Sequence, residues 1–217
     1  MKTETSKTGT SHWIDITRPM DDTLVTWPGR ARPSRRWEKQ IAAGHHCNVS
    51  FWELRAHSGT HMDAPLHFIE DGSAIDQIPP ATFIGGCRVV DLTALHAPLD
   101  EARARLYAGQ ERLLFKTQQS SAKPEYAPHA ALLTPAAAAV LLANGLLLIG
   151  MDRLSVDDSQ SKSFALHRAL LGAGCVILEG LLLDDVAEGD YELHAAPLRF
   201  TGAEASPVRA LLRIGSR

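Results

Sequence analysis

The densest collection of reactive side chains in the sequence is His57-Ser-Gly-Thr-His61-Met-Asp63-Ala-Pro-Leu-His67. Three histidines and a carboxylate within eleven residues offer the nitrogen and oxygen donors that a borderline-soft divalent metal prefers. A helix does not present them together. At 3.6 residues per turn Asp63 falls roughly 120° round from His57, and Gly59 and Pro65 both oppose a helix. In an extended chain the intervals of four, two and four are all even, so the four side chains share one face. A straight strand is nevertheless too long, because His57 and Asp63 would stand about 20 Å apart at ~3.3 Å per residue. The chain must bend, and Ser58-Gly59-Thr60 is the place where an unusual backbone angle costs least. Pro65 then limits further ladder pairing and turns His67 inward at the edge of the site. A lone histidine is more often exposed or satisfied in the core. Four donors on one face beside a forced bend point to a metal.

Glu179 is the second anomaly, because it sits among Val176, Ile177, Leu178, Leu181, Leu182 and Leu183. An unpaired carboxylate buried there would cost several kcal/mol. A cation removes the difficulty, and that cation is either a basic side chain in an internal salt bridge or a metal. His167 lies twelve residues earlier, where a helix, a glycine turn and a strand would bring the two together. The other histidines (His12, His45, His46, His96, His129 and His194) show no comparable pattern and read as structural or exposed.

The elements that must hold these residues follow from periodicity and punctuation. Val49–Arg55 alternates apolar and polar residues, which predicts a half-buried strand. Arg88–Leu92, Leu113–Thr117 and Leu146–Ile149 are short apolar runs suited to interior strands. Thr134 as cap, Pro135 in the first turn and Gly145 as stop predict a helix through Ala143, leading directly into the strand at 146. A second helix is expected over about Ser163–Leu171, ended by Gly172 and Gly174, with a strand over Cys175–Leu183. Strands and helices alternating around one core define an α/β class. Residues 1–11 read as a polar lead-in and 12–217 as a single domain.

Composition narrows the function. The chain has 217 residues, 45% hydrophobic and 22% charged, enough to enclose a core without staples. A net charge of −3 implies neither nucleic acid nor an anionic membrane as partner. Cys47, Cys87 and Cys175 are odd in number and far apart, which suits free thiols in a reducing compartment. The first ten residues lack the apolar stretch of a signal peptide, and no apolar run is long enough to span a bilayer. The expectation is a cytoplasmic protein.

The motif His-x-Gly-Thr-His-x-Asp-x-Pro-x-His, preceded by Ile14-Asp-Ile16 and Thr26-Trp-Pro-Gly29, resembles the bacterial kynurenine formamidase (arylformamidase) branch of the cyclase-like metal-dependent hydrolases. Ser155-x-Asp157, Ser161-Lys162, His167, Leu178-Glu179-Gly-Leu181, Asp184-Asp-Val186 and Gly189-Asp-Tyr-Glu-Leu193 extend the resemblance from about Trp13 to Leu212. It implies a swivelling β/β/α fold, a homodimer or higher homo-oligomer, and two divalent metal ions, commonly zinc, with manganese in some relatives. By the same resemblance His57, His61 and Asp63 hold the first ion, and Asp63 reaches the second. His167 binds the second and Glu179 contacts one or both. His67 transfers the proton, and Trp27 lines the aromatic part of the substrate pocket. Met151-Asp-Arg-Leu154 and Phe115-Lys-Thr-Gln-Gln-Ser120 depart from the formamidase pattern, which bears on the substrate more than on the metal chemistry.

The implied reaction is hydrolysis of an aryl formamide, N-formylkynurenine giving kynurenine and formate. An amide carbonyl is a poor electrophile, and metal coordination lowers the pKa of water from 15.7 to about 7. His67 would protonate the departing nitrogen. Opening of a cyclic aryl amide, as in isatin hydrolase, is the alternative within the same chemistry. A non-catalytic metal-binding protein is the alternative outside it, although structural zinc sites favour four closed, often cysteine-rich ligands. The sequence lacks a Gly-x-Ser-x-Gly nucleophile elbow.

Overall fold

A computed structural model describes residues 13–95, 97–117 and 128–214. The lead-in expected over 1–11 lies outside the described residues. Their strands are β1 (Trp13–Asp15), β2 (Ser34–Lys39), β3 (Val49–Glu53), β4 (His61–Asp63), β5 (Ile84–Asp91), β6 (Arg112–Lys116), β7 (Leu148–Met151), β8 (Val176–Glu179), β9 (Gly189–His194), β10 (Ala205–Pro207) and β11 (Leu211–Ile214). The helices are α1 (Glu101–Ala104), α2 (Pro135–Ala143) and α3 (Ala165–Gly172). Nine strands form one mixed sheet in the order β1-β11-β9-β5-β6-β7-β8-β4-β10, and β2 with β3 makes a separate ribbon.

The neighbours β5, β6, β7 and β8 run parallel, and their continuous apolar runs are those of strands covered on both faces. Successive residues go to opposite cores, as the two-residue strand period requires. Val89, Leu114, Leu148, Val176 and Leu178 join Ile16, Met62, Leu193 and Leu212 inside the curl of the sheet. Val90, Leu113, Phe115, Ile149 and Ile177 meet Ala137, Leu141, Leu166 and Leu170 of α2 and α3. The chain is an α/β protein with one curled mixed sheet and few helices.

Thr134 caps α2 by accepting from the Ala137 amide, Pro135 opens the helix, and Gly145 at φ +90° ends it. Each is the residue its position demands. Several expectations need correction. β7 begins at Leu148 rather than 146. β8 stops at Glu179 instead of running to Leu183, because Gly180 turns the chain at φ +71° and its amide bonds to the Arg153 carbonyl at 2.8 Å. The Val49–Arg55 segment is a strand only to Glu53, and it is exposed rather than half-buried. It pairs with β2 alone, so Phe51 (44% exposed) and Trp52 (38%) have no layer above them among the described residues.

Candidate active site

Strand parity and register build the site. Met62 is fully buried inside the sheet's curl, so its neighbours His61 and Asp63 face the helix side. β4 pairs antiparallel with β8 so that His61 stands directly opposite Glu179. Directly opposed residues bring their Cβ atoms within about 5.5 Å. α3 follows β7 and carries His167 over the same face. His57 reaches the group through the bend, with Gly59 at φ +65°. Gly180 serves the same turn from the other side: a Cβ there would lie 2.5 Å from the Gly59 carbonyl oxygen. The Thr60 hydroxyl bonds the Gly180 carbonyl at 2.7 Å.

Asp63 is the hub. Its Oδ1 lies 2.9 Å from His57 Nδ1 and 3.5 Å from His61 Nε2, and its Oδ2 lies 3.9 Å from His167 Nε2. Glu179 closes the other side, with Oε2 at 3.5 Å from His61 Nε2 and Oε1 at 3.4 Å from His167 Nε2. Two overlapping donor groups result: His57, His61 and Asp63, and Asp63, His167 and Glu179, the atoms of each within 4.8 Å of one another. Asp63 is only 1% exposed, and although His57 Nδ1 stands 2.9 Å from Oδ1, no donor is oriented to hydrogen-bond either oxygen. A buried carboxylate left in that state is costly. Imidazole nitrogens and carboxylate oxygens converging on common points, with that orphaned carboxylate between them, fit divalent cations.

The histidines are held from behind. His61 Nδ1 donates to the Gly59 carbonyl at 3.0 Å and His167 Nδ1 to Asp157 Oδ2 at 2.6 Å. Both contacts leave Nε2 facing the site as the free donor, the usual outer support of a metal-binding histidine. Asp157 also accepts the amides of Leu166 and His167, capping the first turn of α3. Burial raises the Asp157 carboxyl, but these bonds outweigh it and hold the group below the ordinary range. Behind His57, Glu204 Oε1 stands 3.3 Å from Nε2.

Electrostatics separate His67 from the other histidines of the cluster. Burial, reinforced by His57, His167 and His61, pulls its pKa down to about 4 despite Asp63. The ring is therefore neutral at pH 7. Burial also opposes charge on His167, yet Asp157, Glu179 and Asp63 together push it up to about 10. Asp63 is driven well below the carboxylate range by His57, His61 and His67 against the opposing effect of burial. His67 sits in a 3-10 turn, Pro65–His67, that Pro65 begins. Its ring lies 4.2 Å from that of His57 and 6.1 Å from that of His167.

A cavity of about 640 Å³ opens onto the cluster, with Trp27, Phe68 and Phe164 on its apolar walls. Trp27 occupies the first position of a tight turn whose Pro28 and Gly29 (φ +77°) suit a type II geometry, closed by the Arg30 amide on the Trp27 carbonyl at 3.0 Å. α3 begins at Ala165 rather than Ser163 because Phe164 adopts a left-handed conformation (φ +49°). This backbone is unfavourable for a non-glycine residue, and its ring lies 5.2 Å from Phe68. The structure thus brings His57, His61, Asp63, His67, His167, Glu179 and Trp27 to one cavity. Sequence reasoning assigned no role to Asp157, Glu204, Phe68 or Phe164. Only Asp157 carried a signal, as a carboxylate ahead of a helix. The three cysteines are free, and Cys87 and Cys175 are buried.

The Cyclase family model matches residues 14–158, and the chain belongs to that family. It is 39% identical over 210 residues to kynurenine formamidase of Bacillus cereus, covering 94% of this chain and 98% of the relative. The kynurenine formamidase of Bacillus mycoides is 38% identical over the same shares. A solved structure described as a potential metal-dependent hydrolase with cyclase activity superposes with a TM-score of 0.81 at 29% identity, covering 96% of this chain and all of the other. An isatin hydrolase bound to the product analogue thioisatinate shares the fold, with a TM-score of 0.84 at 22% identity over 96% of this chain and 94% of its own.

Proposed function

We propose that this chain is a metal-dependent amidohydrolase that cleaves aryl formamides, N-formylkynurenine to kynurenine and formate. The observation that carries the metal chemistry is Asp63, a fully buried carboxylate without a hydrogen bond at the junction of two donor groups. His57, His61 and Asp63 would hold one divalent cation, and Asp63, His167 and Glu179 a second. Zinc is the first choice and manganese the second for such nitrogen and oxygen donors. Bound there, the cations supply Lewis-acid polarisation of the formyl carbonyl and make water acidic near pH 7.

The chain's own residues do the rest. His67, neutral at pH 7, takes a proton from the attacking water and gives it to the arylamine nitrogen as the C–N bond breaks. Trp27, Phe68 and Phe164 enclose the aryl ring, which excludes water and fixes the formyl carbon over the donor groups. Asp157 holds His167 in its working tautomer.

The domain runs from about residue 12 onward in this reading, in the cytoplasm, and the chain works as a homodimer or higher homo-oligomer. The exposed Trp37 and Trp52, which share one face of the β2–β3 ribbon, support the last point, since large exposed apolar groups together are characteristic of interaction surfaces. No helix among the described residues is long and apolar enough to cross a membrane.

The test is turnover of N-formylkynurenine and isatin by protein of measured metal content. Formate release from N-formylkynurenine supports the reading, opening of isatin alone transfers it to the cyclic amide, and no turnover of either by metal-replete protein rejects it.

A further inference from the structure

The turn that presents Trp27 presents a cation beside it. In Thr26-Trp-Pro-Gly-Arg30 the first and fourth turn positions are Trp27 and Arg30, joined by the Arg30 amide and clamped by the Thr26 hydroxyl on the Arg30 carbonyl at 3.1 Å. The ends of such a turn lie within 7 Å of each other, and both residues line the 640 Å³ cavity. Arg55, two residues before His57, lines it from the next segment. Exposed arginines are ordinary, but the neighbouring ones are occupied. Arg32 donates to the Asp22 carbonyl, Arg36 pairs with Glu38, and Arg35 lies over the Trp37 and Trp52 rings. The guanidinium groups of Arg30 and Arg55 have neither a hydrogen bond nor an ion pair among the described residues.

We propose that Arg30 and Arg55 read a carboxylate that the substrate carries on a tail beyond its aryl ring, so that the cavity selects aryl formamides of amino-acid type over neutral ones. This rests on the formamidase reading of the same site and adds its specificity determinants. A guanidinium offers paired donors in the fork that a carboxylate matches. A neutral compound such as isatin has no carboxylate for either arginine to pair with.

The experiment compares N-formylkynurenine with 2-formamidoacetophenone, the same formylated aryl ketone without the amino-acid tail, on metal-replete protein. Arg30→Ala and Arg55→Ala are each expected to raise KM for the tailed substrate about tenfold or more, the equivalent of one good charged contact. The ratio of the two substrates' kcat/KM should collapse accordingly, with Arg30→Lys recovering part of it. Arg32→Ala, whose guanidinium is held outside the cavity, should leave the ratio at the wild-type value. Calorimetric binding of kynurenine against 2-aminoacetophenone reads the same preference without turnover. Absence of turnover with a preference for kynurenine that both arginine variants lose would therefore overturn the formamidase reading alone. Equal affinities for the two compounds, or arginine variants that keep the preference, would overturn the assignment of Arg30 and Arg55.

Discussion

Two imidazoles separated by 6.1 Å between ring centres, His67 and His167, are assigned opposite roles in the proposed mechanism because their surroundings differ. His167 has Asp157 behind it and Glu179 in front, so its Nε2 is held facing the candidate metal site. His67 has no comparable carboxylate and is held neutral by burial and by its histidine neighbours. His67→Ala is therefore expected to lower kcat by about 10²–10⁴-fold, the range of a removed proton carrier, while metal content stays near wild type. His61→Ala should lose both, since His61 faces Asp63 and Glu179 at 3.5 Å each. Metal analysis beside turnover separates the cases, and loss of metal from the His67 variant would make that residue a ligand. Trp27 belongs at this scale too. Aromatic pairs gain about 0.5–1.5 kcal/mol beyond area burial, so Trp27→Ala should raise KM for aryl formamides several-fold and hardly affect small aliphatic ones. Equal effects on both would remove the stacking role.

Among the elements, β4 and β8 matter most, short as they are. Each carries its donors at the end of a strand whose alternate residues are locked into the inner core: Met62 on β4 and Leu178 on β8. A slip of one residue would turn His61, Asp63 and Glu179 into that core and Met62 out, so the apolar register also fixes that of the candidate donors. The close crossing of Gly180 over Gly59 completes it. Gly180→Ala places a methyl 2.5 Å from the Gly59 carbonyl at a φ of +71°, and both faults act together. A destabilisation of about 2 kcal/mol or more is expected from backbone strain with overpacking. Thermal melting should show it as a lower Tm, together with weaker metal retention because Gly59 leads into His61. A variant with wild-type Tm and metal content would show that the crossing is not what sets the donor register.

For the whole molecule, charge buried away from the site leaves a signature in stability. Asp152 is buried beside Arg18 and Arg153 and accepts from the Thr117 amide and hydroxyl at 2.8 and 2.6 Å. Burial outweighs these contacts and raises its pKa from 3.8 to about 6. The folded chain thus binds this proton more tightly than the unfolded one. Its contribution to stability is full below about pH 4 and is lost as the pH rises through about 6. Asp152→Asn should flatten that part of the curve, by about 3 kcal/mol across the window. Urea unfolding of both proteins from pH 4 to pH 7.5 measures it. Parallel curves would mean that Asp152 titrates alike folded and unfolded.

The sequence by itself singled out the candidate donors and determined much of the frame. The even spacing of His57, His61, Asp63 and His67 required one face, the 20 Å span required a bend, and Gly59 marked it, all local properties of a chain with fixed geometry. The caps of α2 and the buried runs of β5 and β6 were legible for the same reason, since propensity and periodicity act within a few residues. Glu179 announced itself as misplaced but could not name its partner. Only the tertiary structure decided that His61 stands opposite Glu179, that Asp63 serves two donor groups, and that Asp157 and Glu204 back the histidines. Apart from Asp157, which precedes His167 by 10 positions, these partners are joined by cross-strand register and docking across more than a hundred positions, and no local pattern encodes those distances. The β2–β3 ribbon shows the converse. Its alternation predicted a half-buried strand, and burial depends on whether another layer packs over that face, which the strand's own residues cannot specify.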